Sequence, residues 1–501
     1  MNAQDELKIR DMEILFQPFH SRKLNTPTRL VLPAMTRGFS PNGVPTDQVA
    51  EYYKSRAKHE VGLIITEGTF IDEPSASPSS NYPNFFGGAS LRGWKKVLEA
   101  VHTTDCKIVP QLWHVGMDRP FKGDNLPNPE LPPIGPSGID VNTLEQTAEP
   151  MSIAKIEEVI DAFARAAADA KRLGFDGVEL HGAHGYLIDQ FFWKETNRRT
   201  DEYGGSLENR YRVLHEIIEN IQAKCGKDFP IIVRMSIDEY LGDAGRGVEE
   251  SKILCQWMER DGVAAIDAEA AVFETVEWMI PTIYQPKATL AHLAAAIKEA
   301  VSIPVFAQGR MFDPEVAEQV LADGQADFIS ESREWIVEPD FVTKLEKGDV
   351  EGIRRCINCN YCIGKRIFGQ MPLRCTFNPI AGRESRFPNG KVGKAEEKKR
   401  VAIIGAGPAG LEAAYIAAQR GHSVEVYEAT DRLCGGQLRI ASSSPCKDIL
   451  QHIPDFFRVQ LGRLPNVKIH LNSPVTAENA ASIEADTVLV CTGAEPLVPN
   501  I

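Results

Sequence analysis

No apolar run in this chain of 501 residues approaches the length of a membrane-spanning helix. The opening residues, MNAQDELKIRDMEI, are charged throughout and lack the hydrophobic stretch of a secretory leader. A basic arm is missing too: Lys and Arg are scattered, and a formal net charge of −14 disfavours a nucleic-acid partner. Internal repeats and low-complexity tracts are also lacking, which excludes solenoids and arrays. These absences point to a cytoplasmic metabolic protein with a small-molecule substrate, no nucleic-acid or membrane partner, and self-association left open. So long a chain exceeds one core, and about two or three domains are expected.

Cysteine is used sparingly but not evenly. Of ten cysteines, four lie in Cys356-Ile-Asn-Cys359-Asn-Tyr-Cys362 and, after a twelve-residue gap, Cys375. Closely spaced thiolates from one loop, joined by a fourth from elsewhere, are how a cubane [4Fe–4S] cluster is held. Zinc is the rival, although its usual signature is two separated CxxC pairs. The remaining thiols (Cys106, Cys225, Cys255, Cys434, Cys446, Cys491) are dispersed, as suits a reducing compartment.

Between residues 29 and 335 eight short apolar runs alternate with amphipathic stretches: 29–33, 61–66, 107–113, 176–181, 230–236, 263–267, 303–308 and 326–330. Residues 155–173 show the helical spacing clearly, with Ser152 placed to cap them. This alternation predicts an α/β fold whose first domain, residues 1–350, is a (β/α)8 barrel with insertions. Residues 351–395 form the cysteine segment and a charged linker. Residues 396–501 open with Val401-Ala-Ile-Ile-Gly405-Ala-Gly407-Pro-Ala-Gly410, a strand, glycine turn and helix start, with Glu428 ending the next strand as a ribose-binding acid would. A partial Rossmann-like dinucleotide domain is expected there.

In a (β/α)8 barrel the working residues sit at the C-terminal strand ends. These ends are polar here: Thr36-Arg37, Glu67, Gln111, His114, His181, His184 and Arg234. Strands seven and eight end in Gly309-Arg310 and Ser332-Arg333, small residues beside arginines, the usual make-up of a phosphate site and hence of a phosphorylated cofactor. Helix caps or surface ion pairs are the alternative for these arginines. In His181-Gly-Ala-His184-Gly-Tyr186 two imidazoles can donate to one substrate oxygen, and the phenol can deliver a proton. A zinc pair lacks a third ligand at metal-like spacing.

These residues resemble the old yellow enzyme family of FMN oxidoreductases, and its long branch with an iron–sulfur segment and a dinucleotide domain. The motifs Thr28–Thr36, Gln111–His114, His181–Tyr186, Asn197–Arg210 and Arg234 occur in the family's order. The resemblance implies that Ala34, Thr36, Gln111 and Arg234 contact the isoalloxazine, and that Gly309, Arg310, Ser332 and Arg333 hold the FMN phosphate. It implies that Cys356, Cys359, Cys362 and Cys375 carry a [4Fe–4S] cluster. It further implies that His181 and His184 bind the carbonyl oxygen of an electron-poor alkene.

Within that branch, the cysteine spacing is that of trimethylamine dehydrogenase, yet His181, Thr36 and Arg366 stand where that enzyme has a tyrosine, a flavin-linked cysteine and an aromatic cage residue. The histidine pair, which 2,4-dienoyl-CoA reductase lacks, suits a 2-enoate or enone reductase. In the family the strand 486–493 is interleaved with a nested NAD(P)H domain. With the chain stopping at Ile501, Gly405, Gly407, Gly410, Glu428 and Gly436 are expected to support FAD or bare ADP without a nicotinamide site. The expected activity is FMN-dependent reduction of the C=C bond of α,β-unsaturated carbonyl or carboxyl compounds with electrons from NAD(P)H. The rivals are an N-methylated amine dehydrogenase and an electron carrier with no organic substrate.

Overall fold

The computed structural model describes residues 13–59, 61–123, 125–387, 390–494 and 497. Eight parallel strands, β1 (Leu30–Leu32), β2 (Leu63–Phe70), β3 (Lys107–Trp113), β4 (Val178–Gly182), β5 (Ile231–Ser236), β6 (Ala265–Glu269), β7 (Val305–Ala307) and β8 (Phe328–Ser330), close into a barrel. β8 returns to pair with β1, Ile329 opposite Leu30. Every run expected from the sequence carries one of these strands. The largest shift is in β2, which runs on to Phe70 because its register with β3 slips between Ile65 and Gly68, a bulge that bends the strand.

The N-terminal half of the barrel is filled. Val31, Leu63, Ile65, Val109, Ile232, Ala265, Phe306 and Phe328 point inward and pack with Leu24 from the turn below. A hairpin of Phe19–His20 and Asn25–Thr26 lies across that end, with the Phe19 ring 4.7 Å from that of Phe328. Each such large apolar side chain stabilises the fold by about 1.5–3 kcal/mol on burial. The plug leaves only the opposite, C-terminal mouth open for a site.

The outer helices follow the periodicity read from the sequence. Ile153–Leu173 begins at Ser152, whose side chain accepts from the Lys155 amide, and ends at Gly174 in the left-handed region (φ 104). Its face of Ile156, Val159, Ile160, Phe163, Ala167 and Ala170 is buried. Leu207–Cys225 is capped in the same way by Ser206.

The chain divides into two compact units: Met1–Val342 with Cys359–Ser385, and Thr343–Asn358 with Arg386–Ile501. In the first, the segment 359–385 is tied to the barrel. The Leu373 amide donates to the Arg37 carbonyl at 2.9 Å, Arg56 pairs with Glu384 at 3.1 Å, and Arg333 donates to the Asn360 side chain at 2.6 Å. Its Tyr361–Ile367 stretch forms a π-helical turn.

The second unit is a four-stranded parallel sheet of β9 (Arg400–Ile404), β10 (Ser423–Tyr427), β11 (Val467–His470) and β12 (Thr487–Val490), in the order β11-β10-β9-β12. The helix Pro408–Gln419 follows β9. Arg354 anchors the 343–358 segment within this unit, pairing with Glu412 at 2.9 Å and lying 4.4 Å from the Phe456 ring. Among the described residues, no helix is long and apolar enough to cross a membrane.

Candidate active site at the barrel mouth

Above the apolar plug the inward positions turn polar. Gln111 Nε2 donates to Glu179 Oε1 at 2.8 Å, Arg234 Nε to Asp267 Oδ2 at 2.7 Å, and Gln308 Nε2 to Asp267 Oδ1 at 2.5 Å. The pairing of β5 with β6 sets Arg234 beside Asp267. All five side chains are buried. Burial first, and the Asp267 charge second, raise the Glu179 carboxyl well above the usual range. Arg234 stays charged: burial opposes this, but Asp267 and Glu269 more than compensate. Among the described residues its Nη2 makes no hydrogen bond, and Glu269 Oε1 lies 3.9 Å from it. A buried guanidinium nitrogen left in this state is a donor awaiting a ligand.

That nitrogen belongs to the wall of a cavity of about 430 Å³, lined also by Ala34, Thr36, Gln111, Gln308 and Ser332. A smaller cavity of about 60 Å³ shares Gln308 and Ser332 with it and is bounded by Gly309 and Arg333. Gly309 is left-handed (φ 91), and a Cβ there would come within 2.8 Å of the Leu290 Cγ, so only glycine fits this turn. Arg333 reaches the Pro281 carbonyl at 2.7 Å. Arg310 lies apart from both linings; its guanidinium reaches the Ile283 carbonyl at 3.2 Å and sits 5.4 Å from the Phe312 ring. A cavity of this volume with an unpartnered cationic donor in its wall and a small annex of Gly309, Ser332 and Arg333 suits a flavin mononucleotide in size and charge.

Beside Arg234, whose register partner on the neighbouring strand is His181, stand His181, His184 and Tyr186. The two imidazole centroids are 5.3 Å apart, and the phenol ring is 4.8 Å from His181 and 6.3 Å from His184. Trp113 stacks against His181 at 5.6 Å and meets the Tyr186 ring edge-on at 4.8 Å. His184 adopts a left-handed backbone (φ 64), rare outside glycine. Its amide donates to the Ser236 hydroxyl at 3.0 Å, which in turn donates to the Ala271 carbonyl at 2.7 Å. The strain therefore aims the ring into the mouth. Among the described residues, the buried His181 Nδ1 and His184 Nε2 have no hydrogen-bond partner. Burial, then His184 and Arg234, push His181 well below the usual histidine range, so it is a neutral imidazole. Burial raises Tyr186 well above the usual phenol range, so its proton stays on.

Several residues of the mouth carried no signal in the sequence. Glu269 ends β6 two positions beyond the expected strand end, and its Oε2 lies 3.7 Å from His184 Nε2. Glu179, Asp267 and Gln308 form the polar layer, which only strand register reveals. Asp118, at the rim, is raised to about 7 by burial and then by Asp140 and Glu274.

Other strand-end candidates serve the fold. Glu67 lies inside β2, fully buried, and pairs with Arg37. His114 is bound to Glu73 at 3.1 Å. Arg366, expected in the position of a cage residue, is not part of the cavity wall; its Nε donates to the Pro372 carbonyl at 2.7 Å, while Ile363, Ile367 and Phe368 face the cavity.

Of the four patterned cysteines, Cys359, Cys362 and Cys375 belong to the first unit and Cys356 to the second. Burial, and then the neighbouring Cys375, push the Cys362 thiol to about 12, with Cys359 adding to the effect. The Phe377 amide donates to Cys375 Sγ at 3.3 Å, the polarity a thiolate ligand accepts. Among the described residues, no group of three His, Cys, Asp or Glu side chains gathers tightly enough for a single metal ion. In the second unit, Gly405 is left-handed (φ 103), and a Cβ at Gly410 would collide with the Gly405 carbonyl, so helix and strand meet as a dinucleotide turn requires. Space beyond Gly407 is open. Glu428 accepts from the Ala406 amide at 2.7 Å, and Gly436 precedes the helix Gln437–Ser442.

Residues 14–351 match the NADH:flavin oxidoreductase / NADH oxidase family, and residues 381–501 match the pyridine nucleotide-disulphide oxidoreductase family. The chain belongs to the NADH:flavin oxidoreductase family and is a flavin-dependent oxidoreductase. It is 38% identical to an NADH oxidase of Thermoanaerobacter brockii over 94% of this chain and 72% of that protein. It is 32% identical to a cinnamate reductase of Clostridium sporogenes over 97% of this chain and 74% of that protein. The solved structure of histamine dehydrogenase from Rhizobium sp. 4-9 superposes with a TM-score of 0.88 at 27% identity, covering 97% of this chain and 70% of that one.

Proposed function

We propose that the chain reduces the C=C bond of α,β-unsaturated carbonyl compounds with electrons from NAD(P)H. The observation that carries this reading is the His181/His184 pair, two buried imidazoles with ring nitrogens that make no hydrogen bond among the described residues, facing the large barrel-mouth cavity beside a protonated phenol. FMN, when bound, supplies the hydride for the β-carbon. Gln111 and Arg234 would hold the ring's polar edge, and Gly309, Ser332 and Arg333 the phosphate, with Arg310 contributing through its turn. His181 and His184 donate to the substrate oxygen, on which negative charge collects as the alkene is reduced, and such donors act most strongly where water is excluded. Tyr186 gives its proton to the α-carbon.

Cinnamate reduction by a relative supports this direction of chemistry. The histamine dehydrogenase likeness favours a second reading, amine oxidation, for which His181 is the weaker fit: it faces the cavity as an uncharged imidazole and supplies no counter-charge for an ammonium. The spacing of Cys356, Cys359, Cys362 and Cys375 supports a [4Fe–4S] cluster as a further electron carrier. The glycine turn at Gly405, Gly407 and Gly410, with Glu428 and Gly436, supports FAD or ADP.

Steady-state assays with an enone panel and a methylamine panel test the reading. His181→Ala and His184→Ala should each cut enone reduction by roughly 10- to 1000-fold while NAD(P)H still bleaches the flavin. Amine-driven flavin reduction, with no enone turnover, would establish the opposite direction.

A further inference from the structure

Beyond the reacting groups, the cavity wall has a consistent character. Trp113, Tyr186, Phe273 and Phe368 form a chain of aromatic rings from the histidines to the rim, with successive centroids 4.8, 5.9 and 5.9 Å apart. Asp118 lies in the same wall, on the short turn Gly116–Asp118. Among the described residues its carboxylate makes no hydrogen bond or ion pair, and the charges acting on it are two further carboxylates, Asp140 and Glu274. The guanidinium of its sequence neighbour Arg119 makes its hydrogen bonds to the carbonyls of Ser77, Leu131, Pro127 and Asn128 and none to Asp118. The guanidinium that lines the cavity is that of Arg234, beside His181 and bonded to Asp267.

An aromatic wall with a carboxylate that no cation pairs has a definite electrostatic preference. Ring faces and carboxylate both attract a positive group, and both raise the cost of bringing in a negative one. A substrate carrying a carboxylate away from the end that the histidines hold, toward Asp118, would have to shed water there without gaining an ion pair.

Resting on the enone-reductase reading above, we propose that Asp118 is a specificity-determining residue that turns away α,β-unsaturated compounds bearing an anionic group remote from the reacting carbonyl, phosphate-bearing acyl thioesters among them, and admits uncharged or cationic α,β-unsaturated ketones. The reaction is unchanged; only the charge of the accepted molecule is set.

The probes are 4-phenyl-3-buten-2-one and its para-trimethylammonium and para-carboxylate derivatives, measured at pH 8 on the FMN-loaded full chain. Dissociation constants come from perturbation of the flavin absorbance, and kcat/KM from steady-state turnover. The wild type should bind the cationic ketone at least about 10-fold more tightly than the anionic one. Asp118→Asn should shrink that ratio by about 10-fold, and Asp118→Lys should invert it. Equal affinity for the two charged ketones in the wild type would overturn the proposal without any variant, as would a ratio unmoved in both variants. If binding follows charge as stated but no ketone is reduced by the dithionite-reduced protein, the enone-reductase reading fails while the charge selection stands. If ketones are reduced without regard to charge, the reverse holds.

Discussion

A buried arginine flanked by acids is a costly thing to place in a barrel, and the mouth of this one balances its charges closely. Arg234 pairs with Asp267, and burial favours the uncharged form of Glu179, which limits the net charge that the polar layer brings under the cavity. One deeply buried carboxylate outside that layer is held ionised instead. Burial works against Glu73, but hydrogen bonds from His114 and Ser75 outweigh it and hold the group near 2 instead of 4.5. A folded pKa below the unfolded one contributes stability that is present above 4.5 and is lost as pH falls toward 2. Glu73→Gln should therefore cost about 1–3 kcal/mol near neutral pH, with the cost shrinking in acid. Urea titrations at about pH 7, 5 and 3 measure it; a cost that stays constant across that range would show that the carboxylate's charge is not what Glu73 contributes.

At the scale of elements, the strands were legible because each is a run of β-branched or aliphatic residues bounded by helices with readable caps, such as Ser152 and Gly174. Their ends were less so. The β2 bulge carries that strand past Glu67, turning an apparent mouth residue into half of a buried ion pair with Arg37. In β6 the strand extends to Glu269, which no local pattern announces. The polar layer depends on register between strands far apart in sequence, so Glu179 and Gln308 gave no local sign. The Tyr361–Ile367 turn is another such case: its cysteine spacing is plain, but that it also walls the cavity with Ile363, Ile367 and Phe368 is not. This dual use has a consequence. If Cys362 holds iron, Cys362→Ser should lose iron and also loosen that wall, weakening ketone binding severalfold, while FMN remains through Gln111 and Arg234. Iron assay, flavin content and ligand titration check the three parts; ligand affinity unchanged after iron loss would separate the turn's two roles.

At the scale of the whole molecule, each compact unit carries its own candidate nucleotide site, built by different means. The first relies on loops at the mouth of a closed barrel, the second on a glycine turn between β9 and its helix. Backbone is in contact with backbone at Gly410, so any side chain there must push the helix Pro408–Gln419 off the Gly405 carbonyl. Gly410→Val, which adds a branched side chain at that contact, should therefore abolish retention of FAD or ADP by the second unit. None of the residues lining the FMN cavity comes from that unit, so FMN content should stay near one per chain. Nucleotides released from purified wild type and variant by heat, and separated by chromatography, give both numbers. Loss of FMN together with the adenine nucleotide would mean that the two units fold as one cooperative body, and loss of neither would remove the glycine turn from the list of binding elements.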